Sequence, residues 1–424
     1  MTDFLDAFFA LLLALIVNLF VGTQIRRRAP ASESMFLVRV YWATILLRYA
    51  IALALNMFAG NSAFAVTFWG DSGQYDYGGN QLALKWGGEP ILNPHMAEAV
   101  SGYGWVHFVA AVYFVFGRNQ LLVQFINGII GGLTVLVIYA IAKDLFDREV
   151  ARKAAVFMAF FPQMVFWSAG MYKDPAVLLC IAVSMYAVLR LRNRVTPSLV
   201  LLLLASIFVL MTLRFYIAYF VLFAALATFL FAQRRGLVGN TLTYGVLVLA
   251  LVGAFHFAVR EETLEQQRSY MTLERLQITR EDQAHWAQSG FGTEYDVSTP
   301  VGALAALPVG LTYLLFAPFP WAVSSLRQAL TLPETLVWYA LMPAFVRGLR
   351  HAIRHQFRDV LPVLVFTASL TAAYALMQGN VGTAYRQRTQ VTMFFFVFMG
   401  VGLVERQRQR QRQSLAVRSR ALRA

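Results

Sequence analysis

Long apolar runs alternate along the chain with short polar connections. Eleven runs are each roughly 15–23 residues long, enough for a helix to cross the hydrocarbon core of a bilayer. They cover 4–22, 40–60, 120–142, 154–170, 175–190, 197–213, 216–232, 239–258, 334–349, 359–377 and 389–404. The pattern predicts an all-α polytopic membrane protein with about eleven transmembrane helices. Two further apolar stretches, GYGWVHFVAAVYFVFG (102–117) and ALPVGLTYLLFAPFPWAV (306–323), do not fit as crossings. Counting either would put neighbouring arginine-rich connections on opposite faces. Their Trp, Tyr and Pro content instead suits helices lying in, or dipping into, one bilayer interface.

Composition strengthens this reading. Hydrophobic residues make up 58% of the 424 positions, charged residues 14%, and mean hydropathy is +0.57. A soluble fold of this length could not cover so much apolar surface with so few charges. The net charge of +14 does not point to nucleic acid here, because arginine in such a chain reports topology. The basic connections are RRR at 26–28, KDLFDREVARK at 143–153, RLRNR at 190–194, QRR at 233–235, RGLRHAIRHQFR at 347–358 and the tail from Arg406. All fall on one face in this threading, and the positive-inside rule makes that face cytoplasmic. The first run has Asp3 and Asp6 before it and Arg26, Arg27 and Arg28 after it, the reverse of a cleavable signal peptide. It reads as a retained helix with its N-terminus outside, and the C-terminus is then cytoplasmic.

A single integral membrane domain, 1–424, follows from this threading. Its parts are an extra N-terminal helix with a basic loop (1–35), a first external loop with amphipathic helices (67–118), a second long external segment (259–333) and a basic tail (405–424). The tail is expected to be solvated and disordered, within reach of anionic lipid. Cys180 is the one cysteine and lies in an apolar run, which excludes a disulfide framework and a cysteine-rich metal site. Histidines 95, 107, 256, 285, 351 and 355 show no metal-ligand spacing, and there is no P-loop, GxGxxG fingerprint or GxSxG elbow.

The informative polar residues are those left on the outer face. FWGDSGQYDYGGNQLALKWGG (68–88) brings Asp71 and Asp76; GMYKD brings Lys173 and Asp174; LRFY brings Arg214; GNVGTAYRQR brings Arg386 and Arg388. Each has a plain structural reading. The arginines could snorkel to headgroups, Asp174 before Pro175 matches a helix N-cap, and Asp71 and Asp76 suit turns. Together they suggest more. Arginines at headgroup depth suit a phosphate or pyrophosphate gripped through paired N–H donors, and a nearby carboxylate suits a general base acting on an acceptor hydroxyl.

These segments resemble the integral-membrane glycosyltransferases of the type C fold, which use polyprenyl-phosphate-linked sugars. Protein O-mannosyltransferases and the lipid A aminoarabinose transferase belong to that class. GDSGQYDYGGNQLA resembles its first external loop, the block from Gly102 to Pro162 the following helices, and WSAGMYKDPAVLL its second external loop. The likeness covers roughly 68–230, and beyond it the general plan and the late Arg386/Arg388 loop agree. The resemblance implies Asp71 as the catalytic base and Asp174 as the second-loop acid. Tyr75, Asp76, Lys173, Arg214, Tyr216, Tyr385, Arg386 and Arg388 are then candidate substrate-binding residues. One departure is that Ser72 follows Asp71 where many relatives have a second acid.

The implied donor is a polyprenyl-phosphate sugar and the acceptor a glycan, lipid or protein; the membrane is implied to be a prokaryotic inner membrane. A monophosphate leaving group held by cations does not require a divalent ion, so no metal or cofactor is expected. Two other readings stay open: an O-antigen-type polymerase or ligase, and a transporter or flippase for lipid-linked oligosaccharide. Buried charge at Arg39 and Arg48 in the second predicted helix is the one hint of the latter.

Overall fold

The computed structural model describes residues 2–57, 71–90, 103–231, 272–285, 289–323 and 325–422. Every regular element among them is a helix. In chain order these are α1 (Thr2–Arg28), α2 (Ala31–Met57), α3 (Asp71–Trp86), α4 (Tyr103–Phe116), α5 (Gln120–Leu145), α6 (Arg148–Phe160), α7 (Pro162–Ala169), α8 (Asp174–Leu191), α9 (Pro197–Phe231), α10 (Leu273–His285), α11 (Pro300–Phe316), α12 (Leu326–Met377), α13 (Val381–Gln387) and α14 (Thr389–Ala421). The described residues divide into two compact units that interleave along the chain. The first takes Met1–Val137, Met158–Ala187 and Pro197–Val221; the second takes Ile138–Phe157, Val188–Thr196 and Leu222–Ala424.

Seven described helices are long and apolar enough to cross a membrane: Leu5–Arg28, Ala31–Met57, Gln120–Leu145, Asp174–Leu191, Pro197–Phe231, Gln328–Met377 and Thr389–Ser419. Two of them are too long for one crossing. At about 1.5 Å per residue, 35 and 50 residues would reach well beyond a hydrocarbon core of about 30 Å. Each is broken where two runs were expected to meet, α9 at Arg214 (φ −152°, ψ 82°) and α12 at Gln356 (φ −140°, ψ 29°). The expected run 239–258 lies outside the described residues. The two interfacial stretches form α4 and α11, both shorter than the spanning helices.

One expected span differs. The stretch 154–170 is interrupted at Phe161–Pro162, between α6 and α7. Proline has no N–H to give the carbonyl four residues back, so Met158 loses its helical partner. Arg48 of α2 supplies the replacement. Its Nη1 donates to the Ala159 carbonyl (2.9 Å) and the Thr44 carbonyl (3.3 Å), its Nη2 to the Met158 carbonyl (3.5 Å), and its Nε to Ser168 Oγ (2.7 Å). This guanidinium caps the C-terminus of α6, where a cation is favoured. Arg39 is exposed. The buried charge in the second helix is therefore structural, which removes the one hint of a transport pathway.

Within the first unit α1 pairs with α2, α2 with α7, and α3 with α4. Asn18 ties the first pair, accepting from the Tyr41 hydroxyl (2.6 Å) and donating to the Tyr49 hydroxyl (2.8 Å). In the second unit α12 and α14 approach closely because Gly348 and Gly402 have no side chain. A Cβ at either would strike the carbonyl of Phe398 or Ala344 on the other helix. The tail corrects an expectation. It continues α14 as helix to Ala421, and Arg408 Nη2 donates to Asp147 (2.7 Å) and Glu149 (3.2 Å). Arg, Gln, Leu and Ala are good helix formers, and extending a formed span avoids the nucleation cost.

Candidate active site

The first unit holds the acidic candidates. Asp71 is the first residue of α3 and is half-buried. Tyr75, one turn on, shares its face and is buried. Asp76 lies five residues on, about 140° around the helix, and is committed elsewhere. Its Oδ1 accepts from the Tyr113 hydroxyl (2.7 Å) and Arg118 Nε (3.3 Å), and its Oδ2 from Arg118 Nη2 (2.5 Å). Burial, and then the charge of Asp76, raise the Tyr113 phenol well above its ordinary range, so it stays a donor. Asp76 thus anchors α3 to the end of α4; the geometry does not make it a second carboxylate beside Asp71.

Asp174 opens α8, and its turn is pinned from two directions. Asn127 Nδ2 donates to the carbonyls of Gly170 (2.7 Å) and Tyr172 (2.9 Å), and Trp105 Nε1 donates to the Met171 carbonyl (3.4 Å). Lys173 and Asp174 are both buried. Arg214 Nη2 donates to Asp174 Oδ1 at 2.8 Å, and its Nη1 to the Tyr216 hydroxyl at 3.1 Å. The break in α9 falls at Arg214 itself, and Gly104 of α4 lies against Thr212 just before it. Asp174, Arg214 and Tyr216 are therefore brought together. The Val177 N–H bonds the Lys173 carbonyl (3.1 Å), so helix geometry begins there and the Asp174 side chain serves an ion pair.

The second unit holds Tyr385, Arg386 and Arg388. Asn380 caps α13, accepting from the Gly382 N–H (2.8 Å). Tyr385 donates its hydroxyl to Glu334 Oε2 (2.8 Å). Burial and Glu334 hold that phenol well above its usual range, so it too stays protonated. Arg386 is half-exposed. Arg388 is 1% exposed, between the rings of Tyr385 (4.7 Å) and Trp338 (5.4 Å). Its Nη1 donates to the carbonyls of Leu315 (3.3 Å) and Ala317 (2.9 Å), while Nε and Nη2 have no hydrogen-bond partner. Two strong donors are buried beside aromatic rings, an arrangement able to grip an oxyanion.

Sequence reasoning missed Tyr113 and Arg118 as partners of Asp76, Glu334 and Trp338 as partners of the 385–388 segment, and Asn127 and Trp105 as pins of the second-loop turn. The signals were those of Trp105 and Tyr113 within the aromatic helix and Arg118 just after it. Among the described residues no group of three or more His, Cys, Asp and Glu could hold a metal ion.

Residues 103–258 match the dolichyl-phosphate-mannose-protein mannosyltransferase family. The match includes Lys173, Asp174, Arg214 and Tyr216; it ends before Arg388 and begins after Asp71. The oligosaccharyltransferase of Archaeoglobus fulgidus in its apo form is similar in structure, with a TM-score of 0.50 at 13% identity over 89% of this chain and 52% of that one. Over that length the two share a fold. A second structure, the archaeal oligosaccharyltransferase AglB from Archaeoglobus fulgidus in complex with an inhibitory peptide and a dolichol-phosphate, has a TM-score of 0.49 at 14% identity over 86% of this chain and 50% of that one. The chain spans about half the length of these structures. No curated protein matches it.

Proposed function

We propose that the protein is a membrane glycosyltransferase that moves a sugar from a polyprenyl-phosphate donor to an acceptor hydroxyl on the extracytoplasmic face. The observation that carries this reading is Arg388, buried between two aromatic rings with two donor nitrogens unspent. On a type C fold, such a group suits the phosphate of a lipid carrier. The family matched over 103–258, whose description names a dolichyl-phosphate sugar, supports the same donor class.

The acceptor oxygen attacks the anomeric carbon as its proton passes to Asp71. The bond between that carbon and the phosphate oxygen breaks, and its electron pair stays on the departing lipid phosphate. Single displacement inverts the anomeric centre. Arg388 and Arg386 are assigned to the developing phosphate charge, where preorganised donors contribute most. Tyr385, held protonated, supports Arg388 through its ring. Asp174 fixes Arg214 and Tyr216, and Lys173 beside it adds a further cation. Tyr75 lines the face of α3 that carries Asp71. The acceptor is a glycan, a lipid or a protein, and no resident cofactor is required by these steps.

The test is transfer by purified protein in lipid nanodiscs, supplied with a panel of polyprenyl-phosphate sugars and candidate acceptors, with products identified by mass spectrometry. An inverted glycosidic product with release of polyprenyl phosphate is expected. Movement of intact lipid-linked sugar across vesicles without bond cleavage would overturn the reading in favour of a flippase.

A further inference from the structure

We propose that Arg280 anchors a second phosphate-binding site, separate from the one assigned to Arg388. Arg280 lies on α10 and is 1% exposed, and none of Nε, Nη1 and Nη2 has a hydrogen-bond partner. Leaving a guanidinium buried without acceptors is strongly unfavourable. Arg48 marks the contrast, since its nitrogens reach four acceptors in Thr44, Met158, Ala159 and Ser168. Glu294 bears on Arg280 only through its charge and is itself exposed.

The cover over this guanidinium is built from two short paired segments of the second unit. Phe291 N–H bonds the Gly379 carbonyl (2.9 Å), Val381 N–H bonds the Ser289 carbonyl (3.1 Å), and Gly290 faces Asn380 in an antiparallel bridge. Gly292, at φ +71°, lays bare backbone over Nη2, where any Cβ would collide. The positive φ favours glycine there.

The chemistry of the vacant donors favours phosphate over carboxylate. A carboxylate offers two oxygens and satisfies one edge of a guanidinium. A phosphate monoester offers three terminal oxygens and up to two negative charges, a fuller match than a carboxylate's single charge for a buried guanidinium with Nε and both Nη atoms unspent. This phosphate is not the leaving group. Arg388 is surrounded by Tyr385, Trp338 and the carbonyls of Leu315 and Ala317, whereas Arg280 meets Gly292 and Gly379. The second phosphate belongs to the acceptor, as a phosphorylated sugar or a lipid headgroup, and this assignment to the acceptor rests on the glycosyltransferase reading.

The test uses the full chain in phosphatidylcholine nanodiscs, with unfolding followed by tryptophan fluorescence. In an Arg388→Gln background, inorganic phosphate is expected to raise Tm, and adding Arg280→Met is expected to abolish that rise. Without ligand, Arg280→Met should unfold at a higher temperature than its parent, because an unpaired buried charge has been removed. A structural arginine would do the opposite. An undiminished phosphate shift in the double variant, or a lower ligand-free Tm in Arg280→Met, overturns the proposal. Glucose 6-phosphate in solution and phosphatidic acid in the disc distinguish the two sources: an Arg280-dependent shift with either supports the site, and a shift with neither sinks it. No turnover enters this readout, so failed sugar transfer would count against the glycosyltransferase reading alone.

Discussion

Arg48 in the first unit and Arg388 in the second are buried to the same extent, each 1% exposed. Arg48 spends its donors on carbonyls that Pro162 and the end of α6 leave open, and on Ser168. Arg388 spends one nitrogen on two carbonyls and keeps two in reserve between aromatic rings. Position and burial therefore do not separate a structural arginine from the one proposed to hold phosphate. The balance of donors and acceptors does. On α3, Asp76 is buried and held by Tyr113 and Arg118, while Asp71 opens the helix half-exposed.

The sharpest way to break this contrast is to exchange the two arginines for an apolar residue of similar length. Arg48→Met strands the Met158 and Ala159 carbonyls, at about 1–3 kcal/mol for each unsatisfied group. Thermal unfolding is expected to show a loss of about 2–5 kcal/mol, with poor yield of folded protein. Arg388→Met strands the Ala317 carbonyl but also removes a buried charge with two donors unspent, so its loss of Tm is expected to be smaller than that of Arg48→Met, with turnover lowered by about 10²–10³-fold, the effect of removing one preorganised donor. A stable, active Arg48→Met protein, or an unfolded Arg388→Met protein, would reverse the assignments.

Asp174→Asn tests the other kind of buried group, the paired one. Removing one charge of a buried pair costs about 3–5 kcal/mol, so this variant should lose both stability and activity in parallel. Asp76→Asn should be milder, because Arg118 is about half exposed and water can take up the guanidinium it frees, while the amide oxygen can still accept from the Tyr113 hydroxyl. A small fall in Tm and a few-fold fall in turnover are expected, and a loss as large as that of Asp71→Asn would make Asp76 a catalytic acid. Smallest of all is Arg408→Gln, which breaks the exposed pairs to Asp147 and Glu149. Its effect should stay under about 1 kcal/mol and vanish at high salt.

Much of the helical layout was legible because a bilayer forces one length and one polarity on every crossing. The breaks at Arg214 and Gln356 fall where polar residues interrupt apolar runs. The break at Phe161–Pro162 was hidden because the stretch on both sides is apolar, and only the proline reports it. The helical tail was misread because its alternating arginines look solvated, although each is a good helix former. Of the candidate site, the residue types at helix ends were visible, but their partners were not. Asp76 and Arg118 are 42 positions apart, and Asp174 and Arg214 are 40 apart. Such pairings are set by packing, which hydropathy does not encode. Arg280, in a polar segment of mixed charge, carried no signal at all.

The central claim, that Asp71 takes the acceptor proton while Arg388 holds the lipid phosphate, is tested most directly with Asp71→Asn in purified protein. Turnover and equilibrium binding of a polyprenyl-phosphate sugar would be measured side by side against the unaltered chain. Turnover lost by several orders of magnitude with donor affinity retained is the predicted result. Turnover equal to that of the unaltered chain would contradict it.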